Sequence, residues 1–289
     1  MNTTHTCPNI QVIKKGFFRR AHESRKVQRF FCKGCGKHFS KASFDPRYRQ
    51  RKRHLNPTIM AYSCSLVSQR RLARLLQINR KSLVRRQSFL AKFAGLENAK
   101  DLVRLEGQVE HLQFDEMETF EHTKCKPLSL ALAVSSPGRQ ILGFRVASMP
   151  AKGHLAAISR KKYGYRPDFR NRELASLLQE VAPCLKKHAP VTSDQCPRYP
   201  YLVRKFLPLS KHTKVKGRRG CIVGQGELKK IGRDPLFCLN HTAAMARANI
   251  PRLIRKTWNT TKRADRLLEH LQIYTYYHNH FLLPKASKN

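Results

Sequence analysis

Positive charge is the feature that most constrains how this chain can fold and what it can bind. Its 289 residues include 58 Lys and Arg against 18 Asp and Glu, a formal net charge of +40. A compact chain with this charge repels itself unless a polyanion or a dense counterion cloud surrounds it, so nucleic acid is the leading class of partner. Apolar residues make up 40% of the sequence, which is enough to bury a core and argues against a wholly disordered basic tail.

The charge is unevenly distributed along the chain. Residues 1–100 carry a net +21, residues 101–150 a net −2, and the remaining residues again a net +21. Carboxylates are the ligands that a hard divalent cation needs, and a protein that binds polyphosphate has little other use for them. The acidic segment therefore predicts a metal site, with a few acids decorating a strand edge as the alternative.

Hydropathy and cysteine usage indicate where such a chain works. No apolar run reaches the ~18 residues of a membrane span, and the N-terminus lacks the apolar segment of a signal peptide. Nine cysteines, an odd number, are typical of reduced thiols with one metal site and not of a disulfide framework. We therefore expect a cytoplasmic protein that faces nucleic acid and does not contact a membrane.

A Cys-x-x-Cys-Gly motif runs from Cys32 to Gly36, with aromatic and basic residues on both sides. Its two thiolates lie about one tight turn apart, as in one knuckle of a zinc ribbon. We predict a zinc-ribbon-like module over residues 1–45. A redox pair or two buried thiols is the alternative for this motif.

The second half of the zinc ligand set is incomplete. Cys7 stands alone, because Thr4 and Ile10 occupy the positions where its partner would be. The predicted Zn²⁺ ligands are Cys7, Cys32, Cys35 and, as candidate fourth ligand, His5. His22 and His38 are the other candidates for the fourth position.

Residues 46–100 contain the pattern of a helix-turn-helix. Ser68 can cap one helix, and Asn79, after a turn at residues 77–78, can cap a second that runs to Leu90. The apolar residues predicted to face each other are Leu72, Leu75 and Leu76 on the first helix and Leu83, Val84 and Leu90 on the second. The predicted DNA-contacting residues of the second helix are Arg80, Lys81, Ser82, Arg85 and Arg86. A basic helical hairpin with a solvated face is the alternative.

From residue 105 onward the pattern is that of an α/β domain. Apolar segments at 109–120, 128–134 and 140–147, joined by short turns, predict an antiparallel meander. A helix at 171–181, a strand at 189–194, a helix at 200–206 and a strand at 212–215 follow. Three antiparallel strands, a helix and then strand–helix–strand is the element order of a ribonuclease-H-like fold, which we predict over residues 105–289.

In a fold of this kind, an aspartate in the first strand and one at the end of the fourth lie side by side. Asp115 and Asp194 occupy those positions. Two adjacent carboxylates among many cations can hold a pair of Mg²⁺ or Mn²⁺ ions about 3.5–4 Å apart, as in enzymes that transfer phosphoryl groups. The alternatives are a strand-end carboxylate paired to a cation for Asp115 and a helix cap for Asp194.

These motifs, in this order, resemble the transposases of bacterial insertion sequences. The resemblance covers nearly the whole chain, from the Cys-x-x-Cys-Gly motif through Phe114–Phe120 and Ser193-Asp194 to Leu239–His241, Arg252–Thr257 and the closing residues 258–279. It implies a zinc ribbon, a helix-turn-helix and a DDE nuclease domain. The enzyme would bind element ends and target DNA as a homodimer at the bacterial nucleoid, and would carry out metal-dependent cleavage and strand transfer.

The resemblance also implies a third metal ligand, and here the chain departs from the family. The family usually has a Glu where this sequence has Asn240, whose amide oxygen can ligate Mg²⁺ but adds no charge. Glu227 is the nearest upstream carboxylate and the alternative ligand. His241 is a further candidate phosphate contact.

Basic clusters outside the helix-turn-helix fit the same function. Residues 160–166 interleave aromatic and basic side chains, and residues 211–219 hold five cations, both typical of surfaces that follow a DNA backbone. The predicted DNA contacts in this part of the chain are Lys161, Lys162, Arg218, Arg219, Arg255 and Lys256. Solubilising charge is the alternative for these clusters.

Two other functions remain open on sequence alone. The replaced third acid and the incomplete ribbon favour a catalytically decayed derivative that binds element ends and acts as a regulator. A structure-selective nuclease or Holliday-junction resolvase would use the same fold.

Overall fold

The computed structural model describes residues 5, 7–19, 26–45, 47–48, 50–216, 234–254 and 259–283. The chain divides into two compact units, Met1–Leu55 and Asn56–Asn289, which are treated separately below. Several residues singled out by the sequence lie outside the described residues, namely His22, Arg218, Arg219, Glu227, Arg255 and Lys256.

The first unit is built on a three-stranded antiparallel sheet in the order β1-β2-β3. The strands are β1 (Val12–Arg19), β2 (Lys26–Cys32) and β3 (His38–Phe39), and a short 3₁₀ helix follows at Lys41–Phe44. Among the described residues of this unit, only Cys32 and Ser40 are buried. A unit with so little buried apolar surface requires another source of stability.

Three helices begin the second unit. They are α1 (Leu55–Ser63), α2 (Gln69–Leu75) and α3 (Arg80–Arg104). Both predicted caps are present: Ser68 accepts a hydrogen bond from the Arg71 amide at 3.4 Å, and Asn79 accepts one from the Lys81 amide at 2.8 Å. Each cap satisfies a backbone N–H that the first helical turn leaves without a partner.

The predicted end of the third helix at Leu90 is wrong, because α3 continues to Arg104. Its second half packs along α8 (Ala264–Tyr277), where the Asn98 amide donates to the Gln272 carbonyl and Phe93 meets Tyr276 edge-on. This partner lies far away in the sequence. The helices that were predicted as a separate domain over 46–100 thus belong to the same compact unit as the sheet.

A five-stranded mixed sheet forms the centre of the second unit, in the order β6-β5-β4-β7-β8. Strands β4 (Leu112–Phe120), β5 (Pro127–Ser135) and β6 (Ile141–Ser148) form the antiparallel meander that the sequence predicts. Strands β7 (Val191–Asp194) and β8 (His212–Val215) run parallel to β4. The architecture is therefore mixed α/β, as predicted.

Helices cover both faces of this sheet. On one face, α5 (Arg170–Val181) and α6 (Tyr199–Phe206) pack apolar side chains on those of β4, β5 and β6 to form the core. At Gly143 in β6, a Cβ atom would lie 2.8 Å from Leu177 Cδ1, so a larger residue here would require the Leu177 side chain of α5 to shift. On the opposite face lies α7 (Phe237–Asn249), whose Leu239 amide donates to the Gln113 side chain of β4.

The remaining elements connect or close this framework. They are α4 (Leu155–Tyr163), 3₁₀ turns at Ala182–Cys184 and Pro251–Leu253, and a π-helical turn at His278–Leu282. Helix α4 is not predicted by the sequence, because Ser159 is its one buried residue and it has no apolar stripe. Within the described residues, none of the helices has the length and apolar character to cross a bilayer.

Candidate functional site

Four candidate metal ligands meet in the first unit. The ligand atoms of His5, Cys7, Cys32 and Cys35 all lie within 4.8 Å of one another. Among the described residues, this is the one place where three or more His, Cys, Asp or Glu ligand atoms come together so closely. The set matches the predicted one, with His5 as the fourth member. Three thiols and an imidazole in this arrangement could hold a metal ion such as zinc.

The hairpin between β2 and β3 shapes the cluster. The Gly36 amide donates to the Cys32 carbonyl at 2.8 Å, which closes a tight turn between the two cysteines of the motif. A Cβ atom at Gly34 would lie 1.8 Å from the Asn9 carbonyl oxygen, so the segment that carries Cys7 can approach only a glycine. The sequence thus specifies both the turn and the close approach that bring Cys7 to the knuckle.

Contacts of His5 explain why this histidine belongs to the cluster. The His5 ring stacks on Phe39 with centroids 5.0 Å apart, and its Nε2 lies 3.5 Å from Cys35 Sγ. The interaction with His5 is the main reason that the pKa of Cys32 is lowered to about 6. His38, an alternative fourth ligand, packs on Phe31 and is not part of the cluster.

In the second unit, the register of two parallel strands brings the two predicted aspartates together. Leu112 pairs with Val191 and Gln113 with Thr192, and the same offset places Asp115 beside Asp194. Neighbouring residues of paired strands extend their side chains to the same face of a sheet. The negative charge of Asp194 is one of the causes that raise the pKa of Asp115.

Asp115 is a half-buried carboxyl with two hydrogen-bond donors on one oxygen. Its Oδ1 accepts from the Glu116 amide at 2.7 Å and from the Tyr199 hydroxyl at 3.1 Å. Burial, followed by the charge of Asp194, raises its pKa to about 6. Burial disfavours the charged form of an acid, and a neighbouring acid disfavours it further. A cation placed between the two carboxylates would offset both effects.

Asp194 is fixed by the backbone that follows β7. Its Oδ1 accepts from the Cys196 amide at 3.0 Å, and the preceding Ser193 hydroxyl lies 2.8 Å from His212 Nε2 in β8. The carboxylate therefore projects from a strand end that is held on both sides. Asp194 caps the turn ahead of α6 and not the helix itself, whose N-cap residue is Arg198, so the alternative interpretation as a helix cap is wrong.

The third predicted ligand is positioned differently from the first two. Asn240 lies in α7, next to Leu239, whose amide binds Gln113. Gln113 and Asp115 are two positions apart on β4, so their side chains project from the same face of the sheet. Helix α7 therefore covers the face from which Asp115 projects. The Asn240 side chain is exposed, and its Nδ2 donates to Asp234 Oδ2 at 2.8 Å.

Three residues that contact the predicted ligands or their neighbours were not predicted from the sequence. Asp234 lies at the entry of α7, where an Asp-Pro pair is a helix-start signal that could have identified it. Tyr199 and Arg198 precede the predicted start of α6 and contact the β4 acids. Their role depends on a contact between distant segments, for which the sequence offers no local signal.

The predicted DNA-binding helix has an exposed basic N-terminus. Of the residues named there, Arg80, Lys81, Ser82 and Arg85 are exposed on α3. Between α2 and α3 lies a shallow depression of about 530 Å³, with three arginines in its lining. It is lined by Arg70, Ala73, Arg74, Gln77, Ile78 and Arg80. The positive charge of this surface is complementary to the negative charge of a phosphate backbone.

Two details of the helix pair differ from expectation. Arg86 is half-buried, and its guanidinium donates to the Asn56 side chain at 2.8 Å, so it links α3 to α1 instead of extending outward with its neighbours. Leu75 was expected to face the second helix, but 57% of it is exposed. Leu72, which was predicted to face the same way, is buried, and so is the neighbouring Ala73.

The basic and aromatic segment at 160–166 spans the end of α4 and the residues after it. Lys161 and Lys162 are exposed, and the Tyr163 ring lies under Lys126 and Lys162 at 4.8 and 5.6 Å. His241, the candidate phosphate contact, lies 3.1 Å from an Arg139 guanidinium nitrogen.

No protein-family model matches this chain, and no curated protein matches its sequence.

Proposed function

We propose that the protein is a transposase that binds the ends of an insertion sequence and cleaves and joins DNA at a metal site on Asp115 and Asp194. The observation that carries this proposal is the shared register of β4 and β7, which aligns two carboxylates at the centre of a sheet in a chain of net charge +40. Enzymes that bind DNA have little other use for paired acids than to hold divalent cations.

The architecture supports the same proposal. A meander of three antiparallel strands, followed by two strands parallel to the first, is the strand arrangement expected of a ribonuclease-H-like domain. In that fold the two central strands carry the catalytic acids. We propose that the cluster of three cysteines and a histidine is a zinc ribbon and that α2 and α3 form the helix-turn-helix that recognises element ends.

Each residue has a separate role in this proposal. Asp115 and Asp194 would hold two Mg²⁺ or Mn²⁺ ions, which when bound supply charge stabilisation for phosphoryl transfer. The Cys196 amide orients the Asp194 carboxylate. Exposed Arg80, Lys81 and Arg85 would neutralise DNA phosphates, and Lys161 and Lys162 would extend this contact.

A catalytically inactive end-binding protein is the second candidate. It is favoured by the residue at position 240 of α7, where the transposases that the chain resembles usually have a Glu. Here the residue is the uncharged Asn240, whose side chain donates a hydrogen bond to Asp234. Such a protein would keep the zinc cluster and the basic helix while the acidic pair no longer supported chemistry.

The deciding experiment incubates purified full-length protein with a supercoiled plasmid that carries the coding sequence and its natural flanks, in Mg²⁺ or Mn²⁺. We expect strand cleavage at the element ends by the wild type, and none above background by Asp115→Ala or Asp194→Ala. Glu118→Ala is the matched control, because Glu118 lies on the same strand and forms an exposed ion pair with Lys152.

Each outcome separates the candidates. Binding of the ends without cleavage by any variant supports the inactive end-binding protein. Cleavage of four-way junctions that lack element ends supports a structure-selective nuclease. Equal cleavage by the wild type and by Asp115→Ala rejects the acidic pair as the catalytic site.

A further inference from the structure

The hydroxyl of Tyr199 lies between two neighbouring acids of β4. It is 3.1 Å from Asp115 Oδ1 and 3.2 Å from Glu116 Oε2. A phenol has one proton to donate, so it shares that proton between two nearly equidistant acceptors. A hydrogen bond to a charged acceptor is stronger than one between neutral groups, and two such acceptors fix the direction of the hydroxyl.

The ring of Tyr199 cannot move away from this position. It is 1% exposed at the start of α6 and packs on Phe114 of β4, with ring centroids 5.0 Å apart. Close packing of this kind restricts a side chain to one rotamer. The hydroxyl is therefore presented to the acids by the core of the sheet and not by a mobile loop.

Glu116 is the fixed member of the pair of acids. Only 8% of its side chain is exposed, and it forms an ion pair with Arg198, the residue before Tyr199. Its other oxygen accepts from the Ser129 hydroxyl of β5 at 3.0 Å. Arg198 is itself held by the Asn171 side chain of α5, at 3.0 Å. Every partner of Glu116 is thus anchored to an element of the framework.

Asp115 has fewer restraints. Apart from the amide of the next residue, the hydroxyl of Tyr199 is the donor to its carboxylate among the hydrogen bonds of the described residues. Rotation about the side chain would move Oδ1 and Oδ2 relative to Asp194. A site that holds a cation between two carboxylates depends on that orientation.

We propose that Tyr199 is a positioning residue that sets the orientation of the Asp115 carboxylate, with the Glu116–Arg198 ion pair as its anchor. This inference rests on the proposed function, because it concerns the same pair of aspartates. It adds a role for three residues outside the metal ligands: the phenol restrains Asp115, Glu116 restrains the phenol, and Arg198 anchors the Glu116 side chain. Partners of this kind typically change metal affinity 10–100-fold when they are removed.

The test measures Mn²⁺ binding to the full-length protein by electron paramagnetic resonance of the free ion. The variants are Tyr199→Phe, which keeps the packed ring and removes the hydroxyl, and Asp115→Ala, which defines binding at the acidic pair. Tyr201→Phe is the matched control, since Tyr201 lies on the same helix and is 66% exposed. The cysteine cluster is identical in all variants, so its contribution cancels.

We expect Tyr199→Phe to bind Mn²⁺ about tenfold more weakly than the wild type, and Tyr201→Phe to bind it equally well. Glu116→Gln, which weakens the anchor and leaves the phenol in place, should shift affinity in the same direction. Raising the Mn²⁺ concentration should restore end cleavage by Tyr199→Phe and not by Asp115→Ala, which a purely structural role of the phenol would not produce.

Two results would overturn the inference, and they can be told apart. Equal Mn²⁺ affinity of wild type and Tyr199→Phe, with loss of binding in Asp115→Ala, rejects the role of Tyr199 and leaves the proposed metal site intact. Equal binding by wild type and Asp115→Ala rejects the metal site itself, and the positioning role with it.

Discussion

At the scale of the residue, Asp115 shows a conflict between burial and charge. Its carboxyl is half-buried beside Asp194, and these surroundings raise its pKa from the ordinary 3.8 to about 6. Ionisation of such a group opposes folding, because the folded protein holds the proton more tightly than the unfolded chain does. A side chain that lowers stability in this way is more readily explained by binding or catalysis than by structure.

Replacement of Asp115 by Asn should remove this penalty. In metal-free buffer, the free energy of unfolding of the wild type should fall as the pH rises from about 4 to about 6, because the folded state loses its extra proton over that window. Asp115→Asn, whose amide oxygen can still accept from Tyr199, should be more stable above pH 6 by about 2 kcal/mol, and no more stable near pH 3.5.

Urea unfolding at pH 3.5 and pH 7.5 measures this difference. Asp168→Asn is an informative control, because an ion pair with Arg170 lowers the pKa of Asp168, so its replacement should reduce stability at neutral pH. Equal stabilities of wild type and Asp115→Asn at pH 7.5 would show that ionisation of Asp115 does not lower the free energy of unfolding.

At the scale of the element, the contact between α8 and α1 depends on a buried histidine. His270 of α8 lies 2.7 Å from the Ser63 carbonyl at the end of α1, an acceptor that requires the ring nitrogen to donate. Burial, with a contribution from Arg252, lowers the pKa of His270 from 6.5 to about 4. The neutral ring is therefore part of the packing between α1 and α8.

This histidine should make the second unit sensitive to acid. Since the unfolded chain binds the proton more tightly, the free energy of unfolding should fall as the pH drops from about 6.5 to about 4. His270→Gln keeps an N–H donor for Ser63 but cannot ionise, so it should lose less stability over this window, by up to about 3 kcal/mol. Thermal unfolding at pH 4.5 and pH 7.5 tests this, with exposed His154→Gln as control. A parallel loss in wild type and His270→Gln would contradict the prediction.

The elements that sequence could predict are those whose signals are local. The strands from β4 to β8 and the caps Ser68 and Asn79 follow from alternation and from side-chain chemistry within a few residues. The second half of α3 could not be predicted, because its buried residues include the small Ala91 and Ala94 and its partners, such as Gln272 of α8, lie far away in the sequence. Strand β1 was missed because seven of its eight residues are exposed, which leaves no alternating pattern.

In the candidate sites too, sequence could predict the residues that have a local signal but not those that depend on distant partners. Cys32 and Cys35 form a local motif, and the aspartates were placed by element order. In contrast, Tyr199 meets Asp115 across 84 positions of sequence, and Arg198 meets Glu116 across 82. Pairings of this kind are set by tertiary packing, which a single sequence does not encode in any one segment.

At the scale of the whole molecule, the two units differ in what stabilises them. The second unit has a continuous apolar core under α5 and α6, whereas the described part of the first unit buries only Cys32 and Ser40. Small units without a core are commonly held together by disulfides or by metal ions. The four clustered ligands could hold a metal ion that takes the place of a core in Met1–Leu55.

Chelation should therefore unfold the first unit alone. After treatment of the zinc-loaded protein with a strong chelator, we expect amides in residues 26–45 to lose protection from hydrogen exchange, and those in residues 112–135 to keep it. Cys32→Ser should reproduce the effect without chelator, and Cys196→Ser, which lies outside the cluster, should not. Undiminished protection of residues 26–45 after chelation would show that the unit is stable without metal.

The parallel pairing of β4 with β7 has a consequence for synthesis of the chain. Because parallel neighbours require a long crossover, β4 leaves the ribosome well before β7, and α3 leaves it long before α8. Neither the acidic pair nor the packed form of α3 can exist in a nascent chain that ends ahead of these late partners. A prematurely terminated product that ends ahead of β7 and α8 would thus lack both features at once.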